Sequence, residues 1–196
     1  VFLGQATPMD EHGYFCISLC LIHEKEMLES ADLVILEVNP NLPRVFGDTE
    51  VHIRDVDYVV EVDTPIAKLP YTPPNELDRR IGQYIAELVH DGDTIQLGIG
   101  GIPDAAAVAL LGKHELGVHT EMFTNSLVDL VEAGVVTGSR KSLHKGKMVG
   151  VFAYGEQRLY DMIHDNPAVM LMRGSYVNHP GVVAQNENMV SINTTL

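Results

Sequence analysis

The sequence predicts an α/β protein built on an open, three-layer α/β/α parallel sheet. Three observations carry that expectation. From residue 94 onward, short Val- and Ile-rich runs alternate strictly with helical runs, and the connections between them are short. The stretch "TIQLGIGGIPDAAAVALL", residues 94–111, passes from a strand through glycines straight into a helix. Repeated βα units of this kind assemble into parallel sheets covered by helices, and such sheets bind ligands outside the carboxyl ends of their strands.

Taken in order, "ADLVILEVN" (31–39) and "DYVVEVD" (57–63) are short and rich in Val and Ile, as strands buried in an α/β sheet should be. Between them "PNLPRVFGDTEVH" is a loop of turn formers. Residues 64–75, "TPIAKLPYTPPN", hold four prolines in twelve positions and make the best candidate linker. Leu77, Ile81, Tyr84, Ile85 and Leu88 then recur at helical spacing behind Asn75 as a cap, predicting a helix to about His90. Strand "TIQLG" leads to a helix over 103–111, "LGVHTEM" to one over 126–133, and "KMVGVFAYG" to "RLYDMIH". Strands "AVMLMRG" and "NMVSIN" follow. The loops expected to carry function are therefore 98–103, 121–126 and 174–181.

The chain has 196 residues and 45 % apolar content, enough for one large domain or parts of two. Its 13 Lys+Arg against 27 Asp+Glu give a formal charge of -14, which would repel a phosphate backbone over most of the surface. No nucleic-acid partner is expected, although a few local cations and backbone amides can still hold a small anion. No apolar run is long enough to span a bilayer and no basic, apolar leader opens the chain, so no membrane partner is expected and the cytoplasm is the expected location. Cys16 and Cys20 are too few for a disulfide framework and suit a reducing compartment. With His23 they read C-x3-C-x2-H, a spacing that would share one helix face. A zinc site needs a fourth ligand, however, and "YFCISLCLI" reads as buried apolar chain, so no metal is expected.

The glycine loop admits three readings. It can be a tight βα turn and nothing more, since glycines are common there. It can be a dinucleotide fingerprint, G-x-G-x-x-G, with Glu121 as the acid at the end of the next strand; here Pro103 stands in the place of the third glycine and cannot give the close helix-to-strand contact. A phosphate loop of the Walker type is excluded, because no Gly-Lys-Ser/Thr follows. In the third reading Glu121 attacks an acyl group while the N–H of the turn at Ile99 holds the developing oxyanion, which is acyl transfer through an anhydride.

Together, "QLGIGGIPDA", "HTEM", "LVEAGVVTG", "YVNHP" and "NENMVSIN", with the upstream "NPNLPRVFGDTEVHI", resemble the acetyl-CoA hydrolase/transferase family over essentially the whole chain, most closely its 4-hydroxybutyrate and butyrate CoA-transferase branch. The resemblance implies two open α/β/α domains of the CoA-transferase type with the active site where they meet, and a ping-pong reaction. Residues 1–72 would be the end of the N-terminal domain with its linker, and 73–196 the first part of the C-terminal domain. The family's catalytic glutamate falls on Glu121, its oxyanion amide on Ile99, and its CoA-contacting loop on Gly98, Gly100, Gly101 and Ile102. Gln96 matches a polar residue that enters the site before that loop, and Asn178 an asparagine facing the reacting acyl group. Coenzyme A, arriving as acyl-CoA, and a small carboxylic acid are then the expected partners, and a homo-oligomer is compatible with them.

Several expectations stand beside this one. An acyl-CoA hydrolase differs only in that water resolves the glutamyl intermediate. A dinucleotide-binding oxidoreductase and a non-catalytic ligand-binding α/β module are the alternatives of another class, and a regulatory or structural remnant is a third. Val1 opens directly into "VFLGQA" and Leu196 closes on "MVSINTTL", so the chain is expected to be a fragment, inactive alone and lacking the family's further glycine-rich segment. Of the nine histidines only His119 bears on the site, sharing a strand face with Glu121, where it would either pack or tune the carboxylate. Arg140, Lys141, Lys145 and Lys147 form the one dense basic cluster, either a solvated loop or a hold for CoA phosphates.

Overall fold

Alternating burial along "VILEV" shows how the first sheet forms. Val34, Leu36 and Val38 are buried while Ile35 and Glu37 are half-buried, the period of two that a strand imposes. The computed structural model describes residues 1–194. Its first part comprises β1 (Phe2–Ala6), β2 (Tyr14–Cys16), α1 (Glu24–Glu29), β3 (Val34–Val38), β4 (Glu50–His52) and β5 (Tyr58–Glu61). β3 lies between β1 and β5 in a parallel three-stranded sheet, and β2 pairs with β4 antiparallel. β5 departs from the expected buried strand, since all four of its residues are exposed. Its β-branched residues suit an extended backbone, but burial needs a covering layer, and β5 is a sheet edge among the described residues.

Residues 62–75 form no regular element. They lie across the second part of the chain, where the Tyr160 hydroxyl donates to the Ala67 carbonyl at 2.7 Å and Leu69 N–H to the Gly155 carbonyl at 3.0 Å. Next comes α2 (Glu76–Glu87), opened by a reciprocal capping box between Asn75 and Asp78. Its expected apolar stripe faces the core only in part: Ile81 and Ile85 are half-buried, Ile85 against the core, but Leu77, Tyr84 and Leu88 are exposed, whereas Gly82 and Ala86 are buried. A Cβ on Gly82 would stand 2.6–2.8 Å from the Ala105 and Ala106 backbone, so α2 meets its neighbouring helix through its small residues. Close backbone approach, rather than side-chain size, selects the buried face.

The second part continues with β6 (Thr94–Leu97), α3 (Gly101–Ala109), β7 (Gly117–His119), β8 (Met122–Phe123), α4 (Asn125–Glu132), β9 (Met148–Gly150), β10 (Phe152–Ala153), α5 (Gln157–Ile163), β11 (Val169–Leu171), α6 (Gly174–Val177), α7 (Pro180–Val183) and β12 (Met189–Ile192). Five of these strands form a parallel sheet in the order β11-β9-β7-β6-β12. From β6 the chain steps outward through β7, β9 and β11, then returns to place β12 on the other side of β6. Helix α3 begins two residues earlier than expected, so Pro103 takes the third helical position, where a missing N–H still costs no intrahelical bond.

Strand alternation then sorts side chains between two faces. Ile95, Leu97, Val118 and Thr120 point with Leu127 into the layer of α3 and α4. Gln96, His119, Ser191 and Asn193 point the other way, toward α6 and α7. The sheet is therefore covered on both faces, apolar on one and polar at the carboxyl end of the other.

Candidate active site

β6 and β7 are neighbours with Ile95 opposite Val118. Carried forward, that register sets Gly98 level with Glu121, and the Thr120 hydroxyl, donating to the Leu97 carbonyl at 3.4 Å, marks the same level. The glycine turn and the carboxylate thus leave adjacent strands at one end of the sheet.

Glu121 occupies the break between β7 and β8. Its carbonyl accepts N–H groups from Val151 at 2.9 Å and Phe152 at 3.1 Å, which pins the main chain while the side chain stays exposed. Oε1 accepts from Asn178 Nδ2 at 3.0 Å. Asn178 is the C-cap of α6, so its place depends on where that single helical turn sits.

Gln96 joins them from β6. Its side-chain amide forms a reciprocal pair with Asn193, donating to Oδ1 at 3.1 Å and accepting from Nδ2 at 2.7 Å. Ser191 stands opposite Gln96 in the β6–β12 pairing. Gln96, Glu121 and Asn178 share one open cleft of about 250 Å³ with His119 and Asn193, and Val177, Val183 and Met189 supply its apolar wall. The strand order turns back across β6 and β12, the place where open α/β sheets bind ligands. Asn193 is the residue that sequence reasoning missed. Its signal was available: in "VSIN", Ser191 and Asn193 alternate onto one strand face.

The glycine loop opens on a neighbouring cleft of about 690 Å³, with Ile99, Gly100 and Gly101 on one side and Tyr71, Pro73 and Asn125 on another. Gly100 has φ +106°, and a Cβ there would meet nothing within 4 Å, so conformation rather than space demands glycine. Gly98 and Gly101 answer to space instead. A Cβ on Gly98 would stand 2.8 Å from Asn193 Oδ1, and one on Gly101 would run into the Asp78 carboxylate. Ile99 is 60 % exposed, and its N–H donates to no other described residue. Ile102 is half-buried in the first turn of α3 and lines neither cleft. The cleft walls include Asp78 and Asp104 and no cation. Burial raises the Asp104 carboxyl above its ordinary value, a hydrogen bond from Ser126 opposes this, and the nearby Asp129 charge adds to it.

The basic cluster does not act as a unit. Arg140 faces Glu115 at 3.7 Å, and the Lys147 ammonium donates to the Pro167 carbonyl. Lys141 is buried, its ammonium donating to the carbonyls of Val118 at 2.7 Å and Lys147 at 2.9 Å, so it serves neither solvent nor a phosphate. The expected helix face of Cys16, Cys20 and His23 does not form. Cys16 ends β2, where its thiol exchanges 3.4 Å contacts with the Val45 main chain, and Cys20 bridges to Phe152. Burial pushes the Cys20 thiol up to about 11, so it stays protonated. Among the described residues no group of three or more His, Cys, Asp or Glu could hold a metal ion, and no helix is long and apolar enough to cross a membrane.

Residues 1–70 match the acetyl-CoA hydrolase/transferase N-terminal domain and residues 155–196 the C-terminal domain of the same family, together more than half of the chain. The chain is 45 % identical to a succinyl-CoA:cyclohexane-1-carboxylate CoA transferase of Geobacter metallireducens over 97 % of its own length and 44 % of that protein. It is 43 % identical to the 4-hydroxybutyrate coenzyme A transferase of Clostridium kluyveri, over 99 % of the chain and 45 % of the relative. Among solved structures, a 4-hydroxybutyrate CoA-transferase from Porphyromonas gingivalis superposes with a TM-score of 0.94 at 40 % identity, covering 97 % of this chain and 49 % of that one. The chain spans about half the length of the relatives it matches. On the motifs, the fold and these matches, it belongs to the acetyl-CoA hydrolase/transferase family.

Proposed function

We propose that the full-length protein carrying this chain is a CoA-transferase, moving CoA between an acyl-CoA (4-hydroxybutyryl-, butyryl- or acetyl-CoA) and a carboxylic acid such as acetate. One observation carries the reading. An exposed carboxylate, Glu121, leaves β7 beside a glycine turn whose Ile99 N–H has no partner among the described residues, and Asn178 holds the carboxylate at 3.0 Å. A nucleophile beside a free amide donor is what acyl transfer needs.

In this reading Glu121 attacks the thioester carbonyl and the Ile99 N–H takes the developing oxyanion. The carbon–sulfur bond breaks, CoA leaves as thiolate, and an acyl-glutamyl anhydride remains. The thiolate then attacks the glutamyl carbonyl, releasing the acid as its carboxylate and leaving a glutamyl-CoA thioester. An incoming carboxylate takes over the CoA by the same steps in reverse. Gln96 and Asn178 orient the acyl group in the smaller cleft, and Gly98, Gly100 and Gly101 form the turn along which CoA lies, with Ile102 behind it in the first turn of α3. The larger cleft, lined by carboxylates and no cation, suits the uncharged thiol-bearing arm of CoA and not its phosphates. Residues 1–72 and 73–196 are read as parts of two CoA-transferase domains, the break falling in the element-free proline segment. A cytoplasmic location and a homo-oligomeric assembly belong to the same reading.

The test incubates the full-length protein with acetyl-CoA or butyryl-CoA, reduces it with borohydride and maps the peptides by mass spectrometry. Conversion of Glu121 to the corresponding alcohol, absent in Glu121→Ala together with turnover, is the expected result. Turnover without a mark on Glu121 reassigns the nucleophile. Release of free acid and CoA without transfer to acetate makes the enzyme a hydrolase.

A further inference from the structure

His119 is almost wholly buried, 1 % exposed, at the end of β7. Its Nε2 lies 2.9 Å from the Val177 carbonyl oxygen. A carbonyl can only accept, so Nε2 carries the proton and Nδ1 is left as a bare acceptor, with no partner among the described residues. Burying an imidazole with one nitrogen unpaired is unfavourable, and an apolar side chain would pack there at less cost. The bond to Val177 is therefore what the ring contributes.

Val177 is the last residue of α6, and its neighbour Asn178 is the group that reaches Glu121. A helix of four residues cannot hold itself, because one turn makes too few bonds to offset the ordering of its backbone. α6 is fixed instead from outside, at both ends. At its start the Gly174 N–H donates to the Leu21 carbonyl at 2.8 Å. At its close the Val177 carbonyl is one of the groups a helix end leaves without an intrahelical partner, and His119 supplies one. Two bonds thus bracket the same pair of segments: His119 donates from β7 to Val177, and Asn178 donates back to Glu121, two residues beyond His119.

We propose that His119 is the positioning residue of this site: by capping the Val177 carbonyl it fixes the end of α6 and so sets Asn178 against Glu121. It does not touch the acyl group or act on the carboxylate directly. The inference rests on the reading of Glu121 as nucleophile.

The experiment uses the full-length protein with four variants: His119→Phe, which keeps a ring and removes the donor; His119→Gln, which keeps an N–H in reach of the carbonyl; Asn178→Ala; and the His119→Phe/Asn178→Ala double. Measured are kcat and KM for acyl-CoA, the rate of borohydride-trapped thioester formation, and a crystal structure of His119→Phe. His119→Phe is expected to lower kcat and trapping by on the order of 10- to 100-fold with KM changed by less than about twofold, and His119→Gln to recover to within about fivefold of the native enzyme. Because both residues act through one contact, the double variant should fall within about twofold of Asn178→Ala alone. In the His119→Phe structure Asn178 should no longer reach Glu121.

Multiplicative losses in the double variant, equal losses in His119→Phe and His119→Gln, or an intact Asn178–Glu121 bond in His119→Phe would each overturn the proposal. Should His119→Phe not fold, a His119→Gln enzyme as impaired as Asn178→Ala overturns it too. If the native enzyme itself carries no label on Glu121, the nucleophile reading falls and this inference with it; a labelled native enzyme with an indifferent His119→Phe sinks the inference alone.

Discussion

The side-chain amide of Asn178 donates to Glu121 Oε1 at 3.0 Å, joining the end of a one-turn helix to the break between two strands across 57 residues of chain. A hydrogen bond to a carboxylate contributes roughly 1.5–3 kcal/mol. If that bond orients the nucleophile, Asn178→Ala should lower kcat in the full-length enzyme by on the order of 10- to 100-fold. Steady-state kinetics check this. An unchanged kcat would return Asn178 to the role of a turn former before Pro180.

Gly100 should tolerate no side chain, for reasons of backbone alone. Its φ of +106° lies where an L side chain is strained, and a Cβ there would meet nothing within 4 Å. Gly100→Ala is expected to cost about 1–3 kcal/mol or to redirect the loop, lowering the melting temperature or weakening acyl-CoA binding. Thermal melts and KM for acyl-CoA distinguish the two, and a variant normal in both would show that the loop relaxes freely.

The contact between α2 and α3 depends on Gly82. A Cβ would lie 2.6 Å from the Ala105 carbonyl carbon, so Gly82→Ala must push the helices apart. The alanine raises helix propensity by about 1 kcal/mol, and the clash should outweigh it, giving a net loss of roughly 1–2 kcal/mol. A melting temperature equal to or above that of the native protein would contradict the packing described for α2.

Lys141 gives a pH signature. Burial pulls its ammonium down to about 8 from an ordinary 10.5. Below about pH 8 both folded and unfolded chains hold the proton, and folding bears the whole cost of the buried charge. Between about 8 and 10.5 the unfolded chain binds more protons than the folded one, so this group's contribution to stability rises with pH. The native protein should therefore gain on Lys141→Met across that window, by roughly 3 kcal/mol at most. Denaturant melts of both proteins at pH 7 and pH 10 measure the difference, and a gap independent of pH would mean that Lys141 titrates normally.

Much of the second half was legible because its elements answer to local rules. The cap at Asn75, the strand–glycine–helix passage at residues 94–109 and the alternation that sets His119 and Glu121 on one face are each dictated by neighbours in sequence. Most of the expectations that failed concern burial. β5 has strand composition but lies exposed at an edge, and α2 turns Leu77, Tyr84 and Leu88 outward because Gly82 and Ala86 allow the closer approach to α3. Lys141 looked like surface charge, yet the carbonyls of Val118 and Lys147 draw it inside.

By itself, then, the sequence determined the α/β class, the order of the βα units and the residue types of the site, because hydrophobic period, caps and glycine conformations are properties of short segments. Only the tertiary structure decided which of those residues meet. The pairing of Gln96 with Asn193 needs β12 to return beside β6, and the bracket of His119, Val177, Asn178 and Glu121 needs α6 to fold back over β7. These are contacts between segments 57 to 97 residues apart. Whether they form depends on sheet order and on which face is left for a partner, and no local pattern encodes either.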